Sequence, residues 1–139
     1  VPNSGRRFHA YIQLDQPALG EARDALTSVL SYHRIKTAVA VDKDVDIFSD
    51  SDVMWALATR VQWNRDSFSI DGLSGSMLDP SKSAGARTTS ELAIVATMPA
   101  SSVAGAPNPV PPRARVPDES AARARSALAG VDIGKWPLA

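Results

Sequence analysis

From Phe8 to Leu14 the chain alternates, with Phe8, Ala10, Ile12 and Leu14 on one face and His9, Tyr11 and Gln13 on the other. That is the period of a β-strand. Pro17 and Gly20 interrupt it. From Gly20 to Tyr32 the apolar positions Ala22, Ala25, Leu26, Val29 and Leu30 recur at helical spacing and define one buried stripe. His33, Arg34 and Lys36 are expected to close that helix, their cations suiting the negative end of its dipole. Thr37 to Asp42 is β-branched and almost wholly apolar, as expected for a strand covered on both faces. A second helix should begin near Ser49 to Asp52, where Ser49 and Asp52 approximate a capping box. Val53, Ala56, Leu57 and Val61 form its inner face, and residues 62–66 end it. Two further strands are expected over Ser67 to Asp71 and Glu91 to Met98, separated by a glycine- and serine-rich loop over 72–89.

Beyond Met98 the pattern changes. Residues 99–117 hold six of the ten prolines, which excludes regular helix or central strand and predicts an extended arm. A short helix follows, with Asp118 as cap and Gly130 as stop. Its apolar face is mostly alanine plus Leu128, too thin to stand alone, so it should dock on another surface. Trp136 near the end also wants a partner surface. The order of elements predicts an α/β fold: a small three-layer domain with a mostly parallel sheet of about four strands. Residues 1–100 form that domain, and 101–139 form a proline-rich arm with a docking helix.

Composition narrows the function. At 139 residues there is material for one domain. Fifteen basic residues balance fifteen acidic ones, so no global field favours nucleic acid or an anionic membrane. Without cysteine, neither disulfides nor thiolate metal sites are available. The apolar runs are too short to span a bilayer, and no basic-then-apolar leader opens the sequence. The expectation is a soluble cytoplasmic protein that binds no nucleic acid and no membrane.

The densest candidate chemistry is a run of five aspartates within eleven residues, Asp42, Asp44, Asp46, Asp50 and Asp52. Counted from Asp42 as an EF-hand loop, it fails at Ile47, where glycine is needed, and at Val53, where a bidentate carboxylate is needed. The run reads better as the exit of a strand and the cap of the next helix. Neither GxGxxG nor a Walker-type loop occurs. The two histidines, His9 and His33, have no nucleophile placed beside them in sequence, and no serine lies in a nucleophile elbow. Arg60 is expected to balance its helix dipole or to pair with Asp66. Trp55 lies beside the inner stripe, whereas Trp63, in a polar turn, suits a contact with another chain. These patterns supply no catalytic residue and no metal ligand set.

The run from Arg34 to Ser81 resembles the C-terminal part of the UbiD-type decarboxylases. That family ends a strand in "VVDxDIDxxDxxDVxWAxATR" and continues with "xxxDRD" and "LDPS". The matching positions here are Val41-Asp42, Asp44-Val45-Asp46, Asp50, Asp52-Val53, Trp55-Ala56, Ala58-Thr59-Arg60, Arg65-Asp66 and Leu78-Asp79-Pro80-Ser81. The resemblance spans about Phe8 to Pro99. It implies a non-oxidative decarboxylation of an aromatic or unsaturated acid with prenylated flavin mononucleotide. It also implies that the catalytic residues, the flavin and its metal ion lie on a larger UbiD-type subunit or portion. This chain would then serve homo- or hetero-oligomeric assembly through Trp63, Leu128 and Trp136. The family's "TSKxGIDAT" appears here as "TSELAIVAT", with Glu91 in place of a lysine near the cofactor phosphate. An anion there is unfavourable by Coulomb's law. Arg87 and Lys82 remain as the loop's phosphate-side cations.

Overall fold

In the computed structural model the described residues are 6–98, 114 and 116–129. After a 3-10 turn at Arg6–Phe8 comes β1 (His9–Leu14), then α1 (Glu21–Leu30), β2 (Thr37–Asp42), α2 (Asp50–Arg60) and a single turn, α3 (Trp63–Asp66). The edge strand β3 (Ser67–Ser74), β4 (Thr88–Ala96) and the separate helix α4 (Asp118–Leu128) complete the order. The sheet runs β1-β2-β4-β3. β2 is parallel to both neighbours, Tyr11 facing Val39 and Val39 facing Ile94, whereas β3 is antiparallel to β4.

Because successive strand residues point to opposite faces, β2 feeds two cores. Val39 and Val41 join Ile94 and Ala96 under α2, packed with Val45, Val53, Ala56 and Val61. Ala38 and Ala40 join Ala93 under Ala22, Leu26 and Leu30 of α1. The small-residue face admits α1 closely, and the valine face meets α2. Helix, sheet and helix form the three layers expected. Each fully buried leucine or valine contributes about 2 kcal/mol.

Local chemistry sets the ends of the elements. Gly20 takes φ 92° before α1, a left-handed conformation that costs glycine nothing. Ser49 caps α2, its side chain accepting from the Asp52 amide. Gly72, at φ 78°, lies where the β3–β4 register shifts between Ile70 and Leu73.

Three expectations are corrected. The cations His33, Arg34 and Lys36 do not close α1, which ends at Leu30 with no basic residue in its last turn. After Leu30 the stripe is complete, and the chain turns back to the sheet, Lys36 N donating to Phe8 O at 2.7 Å. Residues 62–66 form their own turn, α3, with Asp66 accepting from the Gln62 amide at 2.8 Å. Asp118 is the first residue inside α4, not its cap; Pro117 holds the cap position without a side-chain hydrogen bond. Gly130, proposed as the stop, lies outside the described residues. No residue of α4 is buried. Among the described residues, no helix is long and apolar enough to cross a membrane.

Candidate functional site

In an open α/β sheet, ligands gather at the carboxyl ends of the parallel strands. Here that end is occupied by charge. Asp42 closes β2, Asp44 follows two residues later, and Arg60 closes α2. The antiparallel β3 explains how they meet. β3 pairs with β4 and runs opposite to β2, so it starts at the carboxyl end of the sheet, and the connection through α2 leaves and returns at that same end. The Arg60 guanidinium grips Asp44 with both terminal nitrogens, at 3.0 and 2.5 Å, and reaches Asp42 at 3.2 Å. It lies 5.0 Å from the Trp55 ring centroid. The Arg60 side chain is only 1% exposed. This corrects the expected Arg60–Asp66 pair: Arg65 takes Asp66 instead, with hydrogen bonds of 2.7 and 2.6 Å.

Asp42 also accepts from the Met98 amide at 2.5 Å, tying the exit of β4 to that of β2. Burial raises its carboxyl above the ordinary range, against the lowering effects of Met98 and Arg60. Hydrogen bonds from Arg60 hold the Asp44 carboxyl below that range. Tyr11 is raised by burial, then by the charge and hydrogen bond of Asp50. The aspartates therefore act on their own protein. Phe48 N donates to Asp46 Oδ1 at 2.9 Å, and Asp52 belongs to the cap of α2. Among the described residues, no group of three or more histidine and acidic side chains is placed to hold a metal ion.

The opposite, amino end of the sheet carries the second polar cluster. Lys36, just before β2, donates to Asp79 Oδ2 at 2.8 Å and to Ser81 Oγ on the 75–87 loop. The Ser81 amide and hydroxyl also donate to Asp79, at 2.9 and 2.8 Å. Lys36 and the Ser81 donors hold the Asp79 carboxyl down at about 2. Beside this cluster Glu91 is 1% exposed. Neither of its carboxylate oxygens has a hydrogen-bond partner among the described residues. Burial pushes its carboxyl up. Glu91 lines a shallow, open-sided crevice with Phe8, His33, Lys36, Asp79 and Thr89.

The residues singled out from sequence are scattered. Lys82 is half-buried at this amino end, donating to Gly75 O at 3.4 Å. Arg87 is exposed on the same loop. Trp63 stands 58% exposed on α3, and Leu128 is exposed on α4, while Trp136 lies outside the described residues. Lys36 and Asp79 were missed as a pair. They are 43 residues apart, and the only signal was Asp79 within the "LDPS" motif.

Residues 1–96 match the 3-octaprenyl-4-hydroxybenzoate carboxy-lyase C-terminal domain, UbiD_C. The chain is 36% identical over 92 residues to the anhydromevalonate phosphate decarboxylase of Methanocaldococcus jannaschii, covering 66% of this chain and 22% of that protein. It is 38% identical over 100 residues to the Archaeoglobus fulgidus enzyme of the same name, covering 71% and 23%. Among solved structures it is similar to the UbiD-class enzyme HmfF from Pelotomaculum thermopropionicum in complex with FMN. That likeness has a TM-score of 0.64 at 34% identity, over 68% of this chain and 21% of that one. The chain thus spans about a fifth of the length of these relatives.

A flavin phosphate does not fit the residues present. Lys82 is engaged with a carbonyl, Arg87 is exposed on the loop, and the buried ionisable group at this end, Glu91, is an acid. The α2 N-terminus, otherwise an anion site, is already filled by Asp50 and Asp52. The fold, the motif from Val41 to Arg60 and the match over residues 1–96 agree, and the chain belongs to the UbiD family, carrying its C-terminal domain.

Proposed function

We propose that this chain is the C-terminal assembly domain, or a separately encoded small subunit, of a UbiD-like non-oxidative decarboxylase. The carrying observation is that a UbiD C-terminal match fills most of the chain, yet the chain spans about a fifth of its relatives. In this reading the catalytic groups and prenylated FMN, with its metal ion, sit on a larger UbiD-type portion. The substrate is an aromatic or unsaturated carboxylic acid. Names among the relatives favour that class: anhydromevalonate phosphate, gallate and vanillic acid decarboxylases. Trp63 and α4 with Leu128 serve as contact surface, since both leave apolar side chains exposed.

Co-expression with a larger UbiD-type polypeptide tests it. The two should co-purify, and decarboxylation should require both. A larger polypeptide equally active with and without this chain sinks the proposal.

Glu91 favours a second reading, a module that keeps the fold without cofactor contact. A buried acid with no cation partner stands where the resemblance has a lysine. That reading expects the purified assembly to show no flavin absorbance.

A further inference from the structure

Glu91 and Lys36 are neighbours that do not pair. The β2–β4 register sets Thr37 opposite Leu92, and Leu92 N donates to Lys36 O at 2.9 Å. One step back along both strands places Lys36 beside Glu91 on the same face. On its other side Glu91 faces Ile70 of β3. Across one strand spacing of about 4.8 Å, a lysine stem reaches an adjacent carboxylate. Lys36 nevertheless lies on Asp79 at 2.8 Å, and the Glu91 oxygens lack donors. Both acids line one crevice with Lys36.

What Lys36 holds matters. Several hydrogen bonds of the 75–87 loop stay within it: Asp79 N to Ser76 O, Ala86 N to Ser83 O, and Lys82 Nζ to Gly75 O. Among the described residues, the side-chain hydrogen bonds from Lys36 to Asp79 and Ser81 tie the loop to the sheet. The loop carries the exposed Met77 and Leu78 as well as Lys82 and Arg87.

We infer that Lys36 is a two-position latch: on Asp79 it pins the 75–87 loop to the sheet, and on Glu91 it lets the loop go. In the pinned position Glu91 keeps its proton, which makes its burial tolerable. When the proton leaves to solvent, the new carboxylate competes for the ammonium. Asp79, released with the loop, regains water. The other charged groups at the crevice are His33 and Arg34 from the α1–β2 turn, Arg34 Nε lying 3.4 Å from His33 Nε2. Lys82 lies nearby on the loop. None of these is fastened to Glu91.

The test is amide hydrogen exchange of the loop in the full chain, corrected for intrinsic rates, from about pH 5 to about pH 9. Loop protection should fall with rising pH, by on the order of fivefold, the worth of a partly exposed ion pair. Glu91→Gln should flatten that dependence. His33 is unchanged in the variant, so whatever it contributes is common to both chains. Asp79→Asn should leave the loop unprotected throughout and, by moving Lys36 over, bring the Glu91 carboxyl (followed by carbon-13 NMR) down into the ordinary range. An unchanged pH dependence in Glu91→Gln, or a Glu91 carboxyl still raised in Asp79→Asn, would overturn the latch. Neither result bears on the decarboxylase reading, which rests on co-purification.

Discussion

Arg60 and Glu91 are buried ionisable side chains packed at opposite ends and on opposite faces of one sheet, and they are handled in opposite ways. Arg60 has two carboxylates, an aromatic ring and a strand exit arranged around it. Glu91 has no hydrogen-bond partner among the described residues, and Lys36, beside it in register, is turned toward a loop. A buried ion held from several sides fixes geometry, because removing one partner strands the others. A buried acid without partners stores a preference for the neutral form instead. The carboxyl end is therefore built as a strut and the amino end as a point of adjustment. The strut is built from residues of the motif that carries the family resemblance, whereas the acid at the other end stands where that resemblance has a lysine.

Removing the strut should have the largest effect. Arg60→Leu leaves Asp42 in a half-buried site with only the Met98 amide and the Asp15–Lys43 surface pair nearby. We expect a loss of about 3 kcal/mol in urea unfolding, at the low end for a broken buried pair because Asp44 is more than half exposed. A loss as small as that of a surface pair would show that Arg60 is not a strut. The next effect belongs to the amino end, where backbone packing rather than charge is tight. A Cβ on Gly75 would stand 2.7 Å from Thr89 Cγ2 and 2.8 Å from its Cβ. Rotating a β-branched side chain cannot clear a clash with its own Cβ. Gly75→Ala should cost about 2 kcal/mol, read by the same unfolding curves.

How much of this was legible in the sequence follows the same division. Alternation gave β1, and the apolar run gave β2 with both faces buried, because burial on two sides leaves a plain compositional trace. Ser49 was legible as a cap because its chemistry is local. The Arg60–Asp42–Asp44 cluster was not read, although the family motif contains all three residues. Its assembly depends on the direction of β3, and a strand joined to its neighbour by a loop without a helix was a usable sign of antiparallel pairing. Lys36 was read as a cation at a helix end, since α1's length was judged by charge rather than by where its stripe stops at Leu30. The Lys36–Asp79 pair joins two turns far apart in sequence, and no periodicity encodes such a contact.

Two substitutions resolve the amino end more finely. Glu91 binds its proton more tightly folded than unfolded, so the wild-type chain loses stability as pH rises from the ordinary glutamate range up to the raised folded value, and the loss levels off above it. Glu91→Gln removes that loss. It should be more stable than wild type by about 1 kcal/mol near pH 8 and no more stable near pH 4. A variant less stable than wild type near pH 8 would mean that the carboxylate gains more from Lys36 than burial costs it.

The smallest effect comes from Asp79, with the opposite sign. Its folded carboxyl lies at about 2, below its ordinary 3.8, chiefly because Lys36 donates to it. The stabilisation is therefore complete above the ordinary value and fades as acid carries the pH down through that interval. Asp79→Asn should flatten the acid limb of a stability–pH curve there and, with Lys36 moved onto Glu91, shrink the neutral limb as well. The two acids share one lysine, so the double variant with Glu91→Gln should differ from the sum of the singles. Simple additivity would mean that Lys36 belongs to Asp79 alone, and the two ends of the sheet would then differ only in how well their charges are paired.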